Sequence, residues 1–316
     1  MHPAKSVIFF TTASGAGYGL VFLLIAADLA GLLPASFWLS FTGYAVGFAL
    51  ISGGLLSSTF HLGHPERAWR ALTQWRSSWL SREGVMAIFT FIPTGLFALH
   101  QLFWPGAFPV LAPLVGLAGM VAAAVTVYCT AMIYASLKPV HGWHNGYVPV
   151  GYLLFSLITG LVLVNALFAL FGFSSLPFLL IGLGALVLGL VFKIAYWRFL
   201  DGTQSLSTPE SATGLGEFGR VSLFEAPHTE ANYLMQEMGF RIARKHATKL
   251  RRIALLCAFM LPFLLTLPGI FAAGTVGGLC LCLAVVFCAL GMVTERWLFF
   301  AEARHTVSLY YGAGHA

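Results

Sequence analysis

YVPVGYLLFSLITGLVLVNALFALF, residues 147–171, runs for 25 residues without a charged side chain. A helix needs about 20 apolar residues to cross about 30 Å of hydrocarbon. This stretch meets that length, and the rest of the chain repeats its composition. The 316 residues are 59% hydrophobic and only 9% charged, with a mean hydropathy of +0.85. A soluble domain of this length needs far more charge to cover its surface. The fold class is therefore all-α: a polytopic integral membrane protein forming a single transmembrane domain over 1–316.

Eight spans are expected: Val7–Leu33, Phe37–Phe60, Gly84–Trp104, Pro109–Leu137, Tyr147–Phe171, Leu176–Arg198, Ile253–Phe271 and Val276–Phe300. The first exceeds a signal-peptide apolar region, has no small-residue cleavage site after it and no twin arginine before it. Gly17, Gly19, Gly43 and Gly47, with Ala13 and Gly15, suit close helix packing in lipid.

The charges carry topology. The 17 lysines and arginines fall at position 5, between 67 and 82, at 138, between 193 and 252, and at 296 and 304. With eight spans all of them share one face, and the loops near 34–36, 105–108, 172–175 and 272–275 hold none. The positive-inside rule makes that face cytoplasmic and both termini inside, N-in and C-in. The net charge of +6 is thus a topological signal and makes nucleic acid a poor partner.

The five cysteines, Cys129, Cys257, Cys280, Cys282 and Cys288, lie in apolar helices without a ligand-like spacing. They read as small buried hydrophobes, so neither zinc nor an iron–sulfur cluster is expected in this chain. The histidines, except His100, gather on the basic face. Two stacked haems need pairs at both depths, so haem is not expected, although His61, His141 or His144 leave a single b-type haem at that face as an alternative.

Inside the spans ionisable residues are few. Asp28 and His100 lie toward the uncharged face, while Lys193 and the Glu295–Arg296 pair lie near enough to helix ends to snorkel or pair there. No ladder of carboxylates crosses the bilayer, which weakens a pumping role. No Pro/Gly break recurs at matching places in two halves, which weakens a secondary transporter.

The densest chemistry is FHLGHPERAW, residues 60–69. His61 closes the second span and Glu83 opens the third, at one membrane depth, with Arg67, Trp69, Arg70, Trp75, Trp79 and Arg82 between them. Two-electron quinone chemistry moves two protons. It therefore needs a polar partner for each ring oxygen and a group that titrates near neutral pH, as histidine does. Glu83 is placed to relay protons, Arg67 to hold Glu83 ionised or orient the loop, and Trp75 and Trp79 either to wall a headgroup or to form an interfacial aromatic belt.

Residues 199–252 form a long loop on the basic face. Its entry, DGTQSLSTPESATGLGEFG, is rich in Gly, Ser and Thr, and helical spacing begins at Thr229, a candidate N-cap. It reads either as an interfacial amphipathic helix or as a docking surface.

HLGHPERAW followed by SSWLSREG resembles the block after the second helix of the DmsC family, the anchor subunits of dimethyl sulfoxide reductase-like molybdoenzymes within the NrfD/PsrC-like superfamily. PHTEANYLMQEMGFRIARKHA resembles the anchors of cytoplasm-facing relatives such as the membrane-bound sulfite dehydrogenase. The resemblance implies a bacterial inner-membrane complex. An iron–sulfur subunit with 4Fe–4S clusters and a catalytic subunit with molybdopterin guanine dinucleotide sit on one face, and the anchor binds ubiquinone or menaquinone. It implies quinone binding at His61 and Glu83, with Arg67 matching the arginine of the block; His64 falls at a variable position. The cytoplasmic basic face favours a sulfite:quinone oxidoreductase feeding the quinone pool over a sulfoxide reductase oxidising menaquinol.

Overall fold

The computed structural model describes residues 5–60, 62, 64–203, 207–225, 246–271 and 274–311. His61 and residues 226–245 of the long loop, whose sequence takes helical spacing from Thr229, lie outside the described residues. Eight of the described helices are long and apolar enough to span a membrane. They are α1 (Lys5–Leu29), α2 (Phe37–Thr59), α3 (Trp79–Phe103), α4 (Leu111–Ala135), α5 (Tyr147–Leu170), α6 (Leu176–Gly202), α7 (Ala247–Phe271) and α8 (Thr275–Ala301). No strand occurs among the described residues.

The helices are apolar all round because both of their surroundings, protein and lipid, are apolar. The outward stripes show this: Ile88, Phe89, Ile92 and Leu96 on α3, and Val276, Leu279, Leu283, Val286 and Leu290 on α8, are exposed at helical intervals. Burial concentrates on α1, which packs against α2, α4, α5 and α8 and fully encloses Leu20, Val21, Leu24 and Ile25. The α3–α4 pair packs beside it.

Between apolar helices in lipid, close backbone approach replaces the hydrophobic drive. A Cβ on Gly19 would lie 1.9 Å from the Ser156 carbonyl oxygen, and one on Gly160 of α5 would lie 2.5 Å from the Gly19 carbonyl carbon. A Cβ on Gly291 of α8 would lie 2.1 Å from the Ala258 nitrogen. Ala258 sits in a π-helical turn, Leu256–Met260. Pro262 follows, and the widened turn accommodates a residue that cannot donate to a carbonyl four positions back. Gly15 behaves otherwise: nothing stands within 4 Å of its missing side chain.

Span number and order match the sequence expectation, while several ends move. α3 begins at Trp79, not Gly84, and α6 continues to Gly202 rather than ending at Arg198. α7 begins at Ala247, ahead of Ile253. In each case polar residues belong to the helix: Ser81, Arg82 and Glu83 open α3, and Lys249, Arg251 and Arg252 open α7. Apolarity marks the part of a helix in hydrocarbon, not the helix itself. The loop after α2 is also partly helical, a 3-10 segment over Pro65–Gln74.

One end of the bundle gathers the basic residues. There the Ser57 hydroxyl near the end of α2 donates to the Ser6 carbonyl at the start of α1, 3.1 Å. Thr306 donates from its backbone to Pro139, 3.0 Å, and the Tyr310 hydroxyl donates to Ala212, 2.7 Å.

Candidate functional site

Because α3 starts early, Glu83 lies in its second turn and faces inward, 4% exposed. Its partner is Thr130 of α4, whose hydroxyl donates to Glu83 Oε1. The Thr130 oxygen also lies 3.1 Å from the Thr126 carbonyl, and the Thr126 and Thr90 hydroxyls are 2.9 Å apart. These groups make a polar seam between α3 and α4. A hydroxyl carries one hydrogen. Thr130 can give it to an ionised Glu83, or give it to Thr126 and accept from a protonated Glu83. Both states of the carboxyl thus find a hydrogen bond.

The first turn of α3 is tied to the loop before it. The Ser81 hydroxyl donates to the Ala71 carbonyl. Arg82 donates from Nε to the Trp75 carbonyl, 3.0 Å, and from Nη2 to Arg76, 2.7 Å. The Arg82 guanidinium stacks 4.2 Å from the Trp79 ring centre, and Trp79 meets Tyr128 of α4 edge-on at 5.9 Å. Trp79 and Glu83 share a helix face at a spacing of four.

Of the residues expected at the site, Glu83 and Trp79 are thus brought together on α3, and Trp75 is joined to them through Arg82. Trp75 is half exposed, with the Arg76 guanidinium 4.9 Å from its ring. Arg67 turns elsewhere, its Nε lying 3.6 Å from Glu66 Oε1. His64 Nδ1 shares the same carboxylate at 3.0 Å. Thr130, Thr126 and Arg82 were missed as site residues. Threonine in an apolar helix gives no signal unless the facing carboxylate is known.

Two other histidines of this end are engaged with their own loops. His144 Nδ1 lies 2.6 Å from the Ala135 carbonyl, and His141 Nε2 lies 2.9 Å from the Thr203 hydroxyl. Among the described residues, no group of three or more His, Cys, Asp or Glu side chains assembles as a metal site.

A second charged cluster lies inside the bundle. Lys193 of α6, 2% exposed, donates to Glu295 Oε1 of α8, which is 1% exposed, with Arg296 beside it at 5%. The expectation that these residues reach a helix end resolves to pairing in the interior. The extension of α6 to Gly202 puts Lys193 more than two turns from its end. Aromatic faces take up the cations: Lys193 Nζ lies 4.3 Å from the Tyr196 ring centre and 4.7 Å from that of Trp197, and Arg296 lies 3.9 Å from that of Tyr152.

A bundle of eight apolar helices with a buried carboxyl behind a cationic, tryptophan-rich loop defines a helical membrane protein with one chemically equipped end. Its family follows from comparison. The family model for the DMSO reductase anchor subunit (DmsC) matches residues 1–301, and the chain belongs to that family. It is 34% identical to a subunit of the sulfite dehydrogenase of Allochromatium vinosum, over 98% of this chain and 99% of that protein. A shorter match, 31% identical over 44% of this chain and 49% of the relative, is to the anaerobic dimethyl sulfoxide reductase chain YnfH of Escherichia coli. No solved structure matches the chain.

Proposed function

We propose that this chain is the quinone-reactive membrane anchor of a cytoplasm-facing molybdoenzyme complex that oxidises sulfite and passes the electrons to the quinone pool. The observation that carries this reading is Glu83, a carboxyl enclosed by protein near the loop end of α3 and hydrogen-bonded to Thr130. The similarity to a sulfite dehydrogenase subunit over nearly the full length of both chains supports the substrate of the complex.

The residues present suit a quinone substrate. Its headgroup needs hydrogen-bonding partners, and its isoprenoid tail needs an apolar lane. The exposed Leu56 and Phe60 at the end of α2, with Val85, Ile88 and Phe89 on α3, supply apolar surface at that depth. His61, next in sequence after Phe60, and Glu83 are the groups that exchange protons with the ring oxygens in this reading. Thr130 holds the Glu83 carboxyl in one rotamer whichever protonation state it has. Arg82 fixes the loop that covers the site, and Trp79 excludes water from beside the carboxyl.

In the same reading the partners sit on the basic, cytoplasmic face, with both termini of the anchor on that side. The iron–sulfur subunit, with its 4Fe–4S clusters, docks on residues 199–252 and the loop before α3, and the molybdopterin subunit lies beyond it in a bacterial inner membrane. Phe218 and Phe224 stand almost fully exposed in the described part of that loop. In this reading the docked subunit covers these two aromatic side chains. Glu210 ties the loop together by accepting from the Val221 backbone at 3.0 Å.

The test is Glu83→Gln in the assembled complex. Electron transfer from sulfite to a soluble artificial acceptor should persist, while quinone-linked turnover should fall about a hundredfold, the scale for losing a positioned proton-transfer group. Native quinone kinetics in this variant would remove Glu83 from the site.

A further inference from the structure

We propose that Glu295 and Arg296, backed by Lys193, form a proton-exchange post that serves Glu83 through the interior of the bundle. The inference rests on the quinone-reactive reading and adds to it the route by which protons reach the site.

The geometry begins with two buried atoms. Glu295 Oε2 and Arg296 Nε make no hydrogen bond among the described residues and stand 3.7 Å apart. Both residues line a cavity of about 20 Å³ between α1, α4, α5 and α8, room for a single water. The two atoms pair by charge but not by a hydrogen bond, and a buried polar group left without one is costly, which favours a water between them. A water there has the polar neighbours it needs, because Thr11, Ser14 and Thr130 line the same space.

Thr130 is the hydroxyl that holds Glu83. One residue therefore touches both the cavity and the carboxyl of the candidate site. Tyr152, over which Arg296 lies, is within electrostatic reach of Glu295 and of Glu83. Thr130 thus stands between the cavity lined by Glu295 and Arg296 and the Glu83 carboxyl.

The post also has an outward end. Lys193 lies within electrostatic reach of Glu302, just past the end of α8. Glu302 accepts from Arg251 Nε at 2.9 and 3.2 Å. The same arginine donates from Nη1 to Asp201 at 2.6 Å, and the Asp201 side chain is 63% exposed. Acidic and basic groups thus alternate from the surface to the cavity: Asp201, Arg251, Glu302, Lys193, Glu295, Arg296. Burial pushes the Glu302 carboxyl above the ordinary glutamate range, with Arg251 pulling the other way.

The balance is simple. Reducing one quinone to quinol takes two electrons, from the iron–sulfur partner, and two protons from the aqueous phase. In this route a proton taken up at the surface carboxylates moves to Glu295. It then passes through the cavity water and the Thr130 hydroxyl to Glu83, which gives it to a ring oxygen. This route carries one of the two protons, the other reaching the second ring oxygen through His61 in the proposed reading, and quinol oxidation runs the same steps backwards.

The experiment uses the whole complex carrying Glu295→Gln, with a Lys193→Met/Glu295→Gln double variant that removes one charge of each sign and so keeps the net charge of the cluster, Arg296 retaining its place over the Tyr152 ring. The expected result is native turnover with a soluble acceptor and native binding of a quinone analogue. Quinone-linked turnover falls about tenfold or more, within the range for disturbed proton transfer, and its solvent deuterium isotope effect rises. A purely structural role would not raise the isotope effect. If Glu295→Gln fails to assemble, the double variant decides. Native quinone-linked turnover with an unchanged isotope effect in the assembled variant overturns the proposal. Glu83→Gln separates the two readings. Lost quinone turnover there, with Glu295 variants unaffected, sinks the exchange post alone; native turnover in Glu83→Gln sinks both.

Discussion

Thr130 and Glu83 lie 47 positions apart in sequence and are joined by one hydrogen bond across the α3–α4 interface. A carboxyl held this way keeps its orientation while its proton comes and goes, because the hydroxyl can donate to it or accept from it. Thr130→Val keeps the shape and removes the hydroxyl. The variant should lose about 1–3 kcal/mol of stability, the cost of an unsatisfied buried polar group, and its quinone-linked turnover should fall with it. Thr130→Ser should retain both. Thermal unfolding in detergent and turnover with a short-chain quinone measure the pair, and a valine variant with native turnover would leave the hydroxyl without a part in the reaction.

The Lys193–Glu295 contact predicts a non-additive pair. Lys193→Met alone leaves the Glu295 carboxylate with the longer, 3.7 Å contact to Arg296 and should destabilise by up to about 3–5 kcal/mol, whereas removing both charges, with Arg296 kept over the Tyr152 ring, should recover part of that loss. Unfolding midpoints of the two single variants and the double variant close the cycle. Additive losses would mean that the two side chains do not sense each other.

The eight spans were legible because hydropathy and the alternation of charged and uncharged loops state the same count. Glu83 was legible as well, since it is a carboxylate standing at the mouth of an apolar run. Its depth was not: Trp79, Ser81 and Arg82 look like loop by composition, and only the tie from Arg82 to the Trp75 and Arg76 carbonyls shows them as the first turn of α3. Lys193 and Glu295 were visible as charges in apolar helices, but pairing depends on which helices touch. That is set in part by glycine contacts one turn away on each helix, Gly189 against Ile158 and Phe259 and Gly291 against Ala258. Arg67 shows the opposite limit, because proximity in sequence suggested Glu83 as its partner and local geometry gave it Glu66.

Glycine contacts of this kind can be tested directly. A Cβ on Gly19 would overlap backbone of α5, whereas one on Gly15 meets nothing within 4 Å. Gly19→Ala should therefore force α1 from α5 and cost about 1–3 kcal/mol, the usual scale for overpacking. Gly15→Ala, one helical turn earlier, should be neutral or slightly stabilising. Yield of folded protein and its midpoint in detergent distinguish the two. Equal effects would mean that the helices do not approach at Gly19 as described.

His61 supplies the last prediction. It follows Phe60, the exposed C-cap of α2, and in the proposed reading it serves the quinone headgroup on the face where the iron–sulfur partner docks. Histidine is the side chain whose unperturbed titration falls near neutral pH, and in that reading it exchanges the proton that Glu83 does not. His61→Ala should leave the complex assembled and still able to pass electrons from sulfite to a soluble acceptor. Quinone-linked turnover should fall about a hundredfold, and the double variant with Glu83→Gln should fall by less than the product of the two single losses, because both residues serve one reaction. Turnover in His61→Ala equal to that of the native complex would assign quinone chemistry to Glu83 without it and leave the histidine as a polar cap on α2.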